Sequence, residues 1–580
     1  MRLWELPDQY VLEPTDGSSP SQCLAISRVN GDISTLGHVP SGGANQRVHT
    51  EEVYGVAGII RLLAGAYVPV ITGRQEVGVY RGSPVFRVTA LQFLCCNQKL
   101  GDLSPEEIRD EAHYMSLLKE VESTSGLFFS YDTDLTLNAQ AAIAAGSKLH
   151  RLPLHQQAES RFLWNRFLLQ EFIEAKLESF ILPIIQGSFQ SAQSTVNDRG
   201  VKLTIISRRC MRRVGTRMWR RGADSKGNVA NFVETEQIIE AANFFSSYVQ
   251  VRGSIPILWE QIVDLSYKPT ITDLNLEATP NAVKRHFQDL HTRYGDVMAL
   301  DLINQQGSEG VLSVAFAKAM EKITSDSIRY VPFDFHHICG QLNFARLSDL
   351  YDGLSEHLSR QSYFMTDSDD ILQEQKGIVR TNCIDCLDRT NVTQSMLARK
   401  SLEIQLMKMG IFGNAETLEG QLDLDTKFKC LWADNGDDIS IQYSGTPALK
   451  GDFVRYGRRT ASGLVQDGFS ALGRYYFNNF KDGLRQDAMD LVAGHYVVER
   501  GSPSPFQLNG FESFAYLPVA SAFLVTGVTL TTLSVREVSS EAYQYVSGVL
   551  WAGIAAGVTA LVRTNGRLFC SRPRLCPIQD

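Results

Sequence analysis

The sequence predicts an α/β protein, α+β overall. A β-rich amino-terminal subdomain packs on a larger α/β subdomain, and two apolar helices follow. Three observations carry this prediction. Residues 54–94 are apolar runs punctuated by Gly73 and Gly82 and rich in β-branched and aromatic residues, the pattern of antiparallel hairpins. Beyond about residue 181, short apolar segments such as VKLTIIS and IRYVPFDFH alternate with stretches read as helical, such as VETEQIIEAANFF. Two uncharged runs close the chain, Phe514 to Val535 and Tyr543 to Val562.

The elements divide the chain at 1–180, 181–500, a Pro/Gly/Ser-containing linker at 501–513, the two apolar runs at 514–535 and 543–562, and a tail at 563–580. Residues 104–123 and 158–180 carry helical periodicity. Gly377-Ile378-Val379 is expected to end a strand, and Asn391 to Met409 to form a helix. As helices the two apolar runs would reach roughly 33 and 30 Å, against a hydrocarbon core of about 30 Å, so both are expected to span a membrane. The connector REVSSEA holds one arginine, whereas the tail holds Arg563, Arg567, Arg572 and Arg574, which places the tail in the cytosol. The amino-terminal MRLWELPDQYVLEPTDG has charges and a proline where a signal peptide needs an apolar stretch, so the large amino-terminal part is expected to be cytosolic too.

Composition narrows the class. A chain of 580 residues is too long for one compact core, and 44% hydrophobic with 21% charged residues is a globular composition. A net charge of −8 argues against bulk nucleic-acid binding. The ten cysteines follow no repeating framework, which fits a reducing compartment.

The chemistry concentrates in RTNCIDCLDRTNV, residues 380–392. Structural zinc would need further ligands, and no second Cys-x-x-Cys exists. A redox Cys-x-x-Cys has no use for the arginine and threonine that follow. A phosphate-binding nucleophile loop accounts for more positions. A strand–loop–helix turn aims backbone N–H groups and the positive helix end at one point. Arg389 adds a bidentate fork for phosphate oxygens. The same positive field is expected to lower the pKa of Cys383 and make it a nucleophilic thiolate. Thr390 is placed to hydrogen-bond the sulfur or the departing phosphate.

This stretch resembles the R-x-N-C-x-D-C-L-D-R-T-N signature of the Sac-domain (suppressor of actin) phosphoinositide phosphatases. Residues 206–239, 247–261, 333–340 and 484–496 look like further blocks of that domain, and the two apolar runs are similar to the anchors of its endoplasmic reticulum and Golgi subclass. The resemblance implies a Sac amino-terminal subdomain over 1–180 and a catalytic subdomain over 181–500. It implies an enzyme facing the cytosol, anchored in the endoplasmic reticulum or Golgi membrane. That enzyme would remove phosphate from phosphatidylinositol monophosphates, chiefly the 4-phosphate and also the 3-phosphate, through a phosphocysteine and without metal or cofactor. Cys383 is then the nucleophile and Arg389 the clamp. The general acid is Asp385 first, with Asp388 second and Asp434 a distant third.

Asn382, Ile384, Cys386 and Leu387 complete the expected substrate loop, joined by Arg252 and Lys450. Two basic clusters, Arg208, Arg209, Arg212, Arg213, Arg217, Arg220, Arg221 and Lys226, then Lys450, Arg455, Arg458 and Arg459, are expected to face anionic membrane. Phosphoinositide lipid and that membrane surface are the expected partners. A protein phosphatase of the same Cys-x5-Arg chemistry and a catalytically silent lipid-binding tether remain as alternatives.

Overall fold

The computed structural model describes the chain except residues 16–21, 41–48, 97–99, 147–150, 267–268, 273–274, 340–345, 369, 507–516, 537–541 and 576–580. Its spine is one 14-stranded mixed sheet that runs through both halves of the chain. From one edge the order is Ile328–Pro332, Asp296–Asp301, Gly377–Cys383, Phe244–Ser254, Val233–Ala241, Arg199–Arg209 and Ile185–Val196, and the sheet continues into the amino-terminal hairpin. The strand Gly377–Cys383 is parallel to both its neighbours, whereas the strands from Phe244–Ser254 towards the amino-terminal edge pair antiparallel. A separate five-stranded antiparallel sheet is built from residues 2–52.

Local chemistry explains the elements that formed as expected. Ala66–Tyr80 and Ser83–Cys95 make a long hairpin closed by Arg81 and Gly82, at φ 49° and 84°. Two successive left-handed residues give the turn whose twist matches a hairpin. Helix Pro105–Glu122 begins at Ser104, whose hydroxyl accepts from the Glu107 N–H while the Glu107 carboxylate accepts from the Ser104 N–H.

Two expectations are corrected. Residues 158–180 are helical only at Gln170–Glu174, with a single 3₁₀ turn at Glu178–Phe180. The apolar spacing there serves tertiary contacts instead. Asn165 donates to the Ala57 and Leu182 carbonyls and accepts from the Ile184 N–H, stitching this segment to the sheet. VETEQIIEAANFF supplies a strand, Val233–Ala241, because Glu234 and Glu236 share one face and pair with the buried Arg208 of the neighbouring strand. The two expected membrane spans fall where the chain is helical. Their residues form two helices, Leu517–Arg536 and Ala542–Thr564, packed on one another. Among the described residues no helix is long and apolar enough to cross a membrane. Residues 514–516 and 507–513 of the expected span and linker lie outside the described residues.

After the second helix the chain returns to the body. The Ser571 N–H donates to the Asn479 carbonyl, those of Arg574 and Leu575 donate to Asp487, and Phe569 and Leu575 are buried.

Candidate active site

The strand Gly377–Cys383 ends at the carboxyl edge of the parallel part of the sheet, and helix Asp388–Lys408 starts five residues later. Ligand sites in open α/β sheets form at this edge, where strand order reverses. The strand is fully buried because both its neighbours and both its faces are covered, so its polar residues are paired internally. Asn382 donates to Asp301 on the adjacent strand at 2.5 Å, and Tyr330 donates to the same carboxylate at 3.0 Å. Burial pushes the Asp301 carboxyl up to about 6, despite those hydrogen bonds.

Cys383 is 1% exposed. Here the structure corrects the expected thiolate: burial pushes the Cys383 thiol up, and Arg389 offsets this only in part while Asp385, Cys386 and Glu309 add to it. Arg389 itself is committed elsewhere. Its two terminal nitrogens donate to the two Glu309 carboxylate oxygens at 3.0 Å each, and one donates to the Leu302 carbonyl. The clamp is therefore largely neutralised by Glu309, a residue no sequence motif pointed to.

The loop between is held from beneath. Cys386 sits at φ 57°, donates its thiol to the Gly253 carbonyl at 2.7 Å and receives the Cys383 N–H at 3.3 Å. Its thiol is raised to about 11 by burial, with Arg380 acting against this. Arg252, fully buried below the loop, donates to Asn391. Its Nε and Nη1 make no hydrogen bond among the described residues. Leu387 packs with Val233, Ile439 and Tyr443. The Ile384 carbonyl accepts from Arg221. Thr390 is fully buried, and its hydroxyl finds no partner among the described residues. Lys450 takes φ 60° at the start of helix Gly451–Tyr456, and its N–H donates to Asp467.

The acid candidates separate clearly. Asp385 is ion-paired to Arg217 at 3.0 Å. Burial alone would raise its pKa, but Arg217, Arg221, Arg474 and Arg389 together hold it well below the usual carboxylate range. Asp388 accepts from the Leu449 N–H at 2.6 Å and from Arg474 at 3.2 Å, which ties the helix start to the 447–449 segment. Asp434 is half exposed and paired with Arg455, outside this cluster.

Much of the two basic clusters, expected to face anionic membrane, is turned inwards or paired. Arg208 and Arg209 are fully buried, the first paired with Glu234 and Glu236 and the second bonded to the Gly215 carbonyl. Arg220 pairs with the buried Asp490, and Arg455 and Arg459 pair with acidic neighbours. What remains of the first cluster is more useful chemically. Arg217 and Arg221, with Arg474 from helix Ala461–Phe480, converge on the Asp385 side of the loop. Arg217, Leu449, Arg474 and Tyr475 line a cavity of about 200 Å³ beside it.

A buried cysteine at a strand end, an arginine on the following helix and three more guanidiniums around the loop define a site for a phosphate monoester. Comparison with known proteins gives the class. A profile of the SacI homology domain matches residues 54–340. The chain is 50% identical over 575 residues to phosphoinositide phosphatase SAC8 of Arabidopsis thaliana, covering 99% of this chain and 97% of that protein. It is 37% identical to phosphatidylinositol-3-phosphatase SAC1-A of Danio rerio, over 99% of this chain and 97% of that one. It is 34% identical to phosphatidylinositol-3-phosphatase SAC1 of Saccharomyces cerevisiae, over 91% and 86%. The chain belongs to the Sac family of phosphoinositide phosphatases.

Proposed function

We propose that this enzyme hydrolyses phosphatidylinositol monophosphates, the 4-phosphate favoured and the 3-phosphate accepted, through a phosphocysteine at Cys383. It would act at the cytosolic face of the endoplasmic reticulum or Golgi membrane. The observation that carries the reading is the convergence of Arg389, Arg217, Arg221 and Arg474 on a loop that opens with Cys383. The relatives named as phosphatidylinositol-3-phosphatases support the 3-position as a substrate.

In this reading the incoming phosphate competes with Glu309 for Arg389. Freed from its carboxylate, Arg389 stabilises both the phosphate and the Cys383 thiolate, whose proton passes to solvent. The sulfur attacks phosphorus as the bond to the inositol oxygen breaks. Phosphate also draws Arg217 away from Asp385 and brings negative charge beside it. Both changes raise the Asp385 pKa, so the carboxyl can take up a proton and deliver it to the leaving oxygen. The resulting carboxylate then accepts a proton from the water that cleaves the S–P bond. Thr390, with its unused hydroxyl, is available to the sulfur or the phosphate during that second step.

The test is phosphate release across all phosphoinositide isomers for the parent protein and Cys383→Ser. The parent should prefer monophosphates, and the serine variant should be inactive while still binding the lipid. Turnover by the serine variant near the parent rate would overturn the covalent route, and preference for a phosphopeptide would overturn the substrate class.

A further inference from the structure

Helix Ala461–Phe480 is amphipathic the wrong way round. Its polar residues Ser470, Arg474, Asn478 and Asn479 are buried against the body, and Arg474 holds Asp388 of the catalytic loop. Its apolar residues face outwards: Leu464, Val465, Phe469 and Leu472 are 61%, 60%, 72% and 70% exposed, and Tyr476 follows one turn on. Their spacing puts them on one stripe of the helix. Water does not pay for such a stripe, and a contiguous exposed apolar face marks a docking surface.

The surroundings say what docks. Along the stripe, Val465, Phe469 and Leu472 border a shallow groove whose inner wall is Ala471 and Tyr475. The same Ala471 and Tyr475 line the cavity that holds Arg217 and Arg474. The apolar face and the anion-binding cavity are thus the two sides of one wall. Exposed cations bracket the helix, Arg458 before it and Lys481 after it, and neither makes an ion pair among the described residues. At the helix's far end, Cys570 and Ser571 bond to Asn479, which fixes the exit of the apolar helical hairpin whose Val546, Val549 and Leu561 are also exposed.

We infer that the outer face of helix Ala461–Phe480 lies in the headgroup–acyl boundary of an anionic lipid bilayer, so that a phosphorylated headgroup enters the Arg217–Arg474 cavity while its acyl chains stay in the membrane. A protein partner would need acidic residues around a matching apolar knob; a bilayer with anionic headgroups offers the apolar layer and the negative rim together, over the whole length of the helix. The inference rests on the proposed lipid substrate and adds the surface by which the enzyme reaches it. Phe469 and Leu472 are exposed and do not line the Arg217–Arg474 cavity, so substituting them tests docking.

The experiment uses the full chain and the double variant Phe469→Gln/Leu472→Gln. Hydrolysis is measured on phosphatidylcholine–phosphatidylserine vesicles carrying phosphatidylinositol 4-phosphate, and on a water-soluble short-chain analogue of that lipid. The vesicle rate should fall by roughly tenfold or more, with the short-chain rate and the melting temperature unchanged. Unchanged vesicle hydrolysis, or equal loss on both substrates, would overturn the docking role. So would a parent dimer in sedimentation velocity that the double variant abolishes, since the face would then join two copies. Phe469→Trp gives an independent reading. Its added fluorescence should be quenched by vesicles with brominated acyl chains, and absence of quenching would overturn the inference even if the double variant misfolds. Failure of the parent on the short-chain lipid would strike the substrate assignment, leaving the quenching to judge the helix alone.

Discussion

At the residue scale the site is poised but restrained. Asp385 is where the local chemistry is most demanding, because a carboxylate held low by four arginines is an anion at neutral pH. If phosphate binding frees it to act as the acid, Asp385→Asn should slow phosphocysteine formation from the natural lipid far more than from an activated aryl phosphate, whose leaving group needs no proton. General acid catalysis contributes about 10²–10⁴-fold, so the two losses should differ by at least about tenfold in rapid-mixing measurements. Equal losses would remove Asp385 from that role. Glu309 offers a second test. Its charge both occupies Arg389 and raises the Cys383 pKa. In Glu309→Gln the thiol pKa should fall, and iodoacetamide labelling of Cys383 at pH 8, followed by peptide mass, should quicken by roughly threefold to tenfold. An unchanged rate would mean that the Glu309 charge has no part in setting the thiol. Of these residues, Cys383, Asp385, Asp388 and Arg389 were legible in the sequence because they lie within seven positions of each other. Glu309 and Arg474 were not, since their only signal is proximity in space to a loop 80 residues or more away.

At the element scale the misread segments share a cause. The stretch VETEQIIEAANFF reads as helical, yet its Glu234 and Glu236 are buried in a strand because Arg208 opposes them across the register. No local pattern reveals that a buried arginine waits one strand away. The strand–loop–helix at 377–408 was legible in outline because its apolar run, loop and helix are contiguous, although the strand expected to end at 377–379 begins at Gly377 and runs to Cys383, and the helix starts at Asp388 rather than Asn391. Its anchoring to the neighbouring strand through Asp301 carries a pH signature. The folded carboxyl is raised from 3.8 to about 6, so the folded state prefers it protonated. The stability that this adds is fully present below pH 3.8 and is lost as the pH rises through 6, a loss worth up to roughly 3 kcal/mol. Asp301→Asn, which stays neutral and can still accept from Asn382, should therefore melt with less pH dependence between pH 4 and 7 than the parent. Parallel melting curves for the two proteins across that range would place the titration elsewhere.

At the scale of the whole molecule, the sequence divides the chain into a body, a linker and an apolar carboxy-terminal part, and it suggests that the body would end near residue 500. The folded chain is more interlocked. Phe506 packs on His113 and Tyr114, with ring centroids 4.1 and 5.0 Å apart, and the segment after the hairpin buries Phe569, Cys570 and Leu575. The Arg574 and Leu575 N–H groups also supply hydrogen bonds to Asp487, whose carboxyl burial pushes up to about 7. A chain cut after Arg500 loses all of these. Each large apolar side chain is worth about 1.5–3 kcal/mol when buried, and Asp487 loses two donors at the same time. The cut chain should melt several degrees below the parent even though Cys383 and its loop are untouched. A second variant isolates the cause: residues 512–562 replaced by a long Gly/Ser linker keep Phe506 and the returning segment while removing the hairpin. It should melt close to the parent. If the two shortened chains melt together well below the parent, the hairpin itself stabilises the body; if both match the parent, the returning tail adds nothing to its stability.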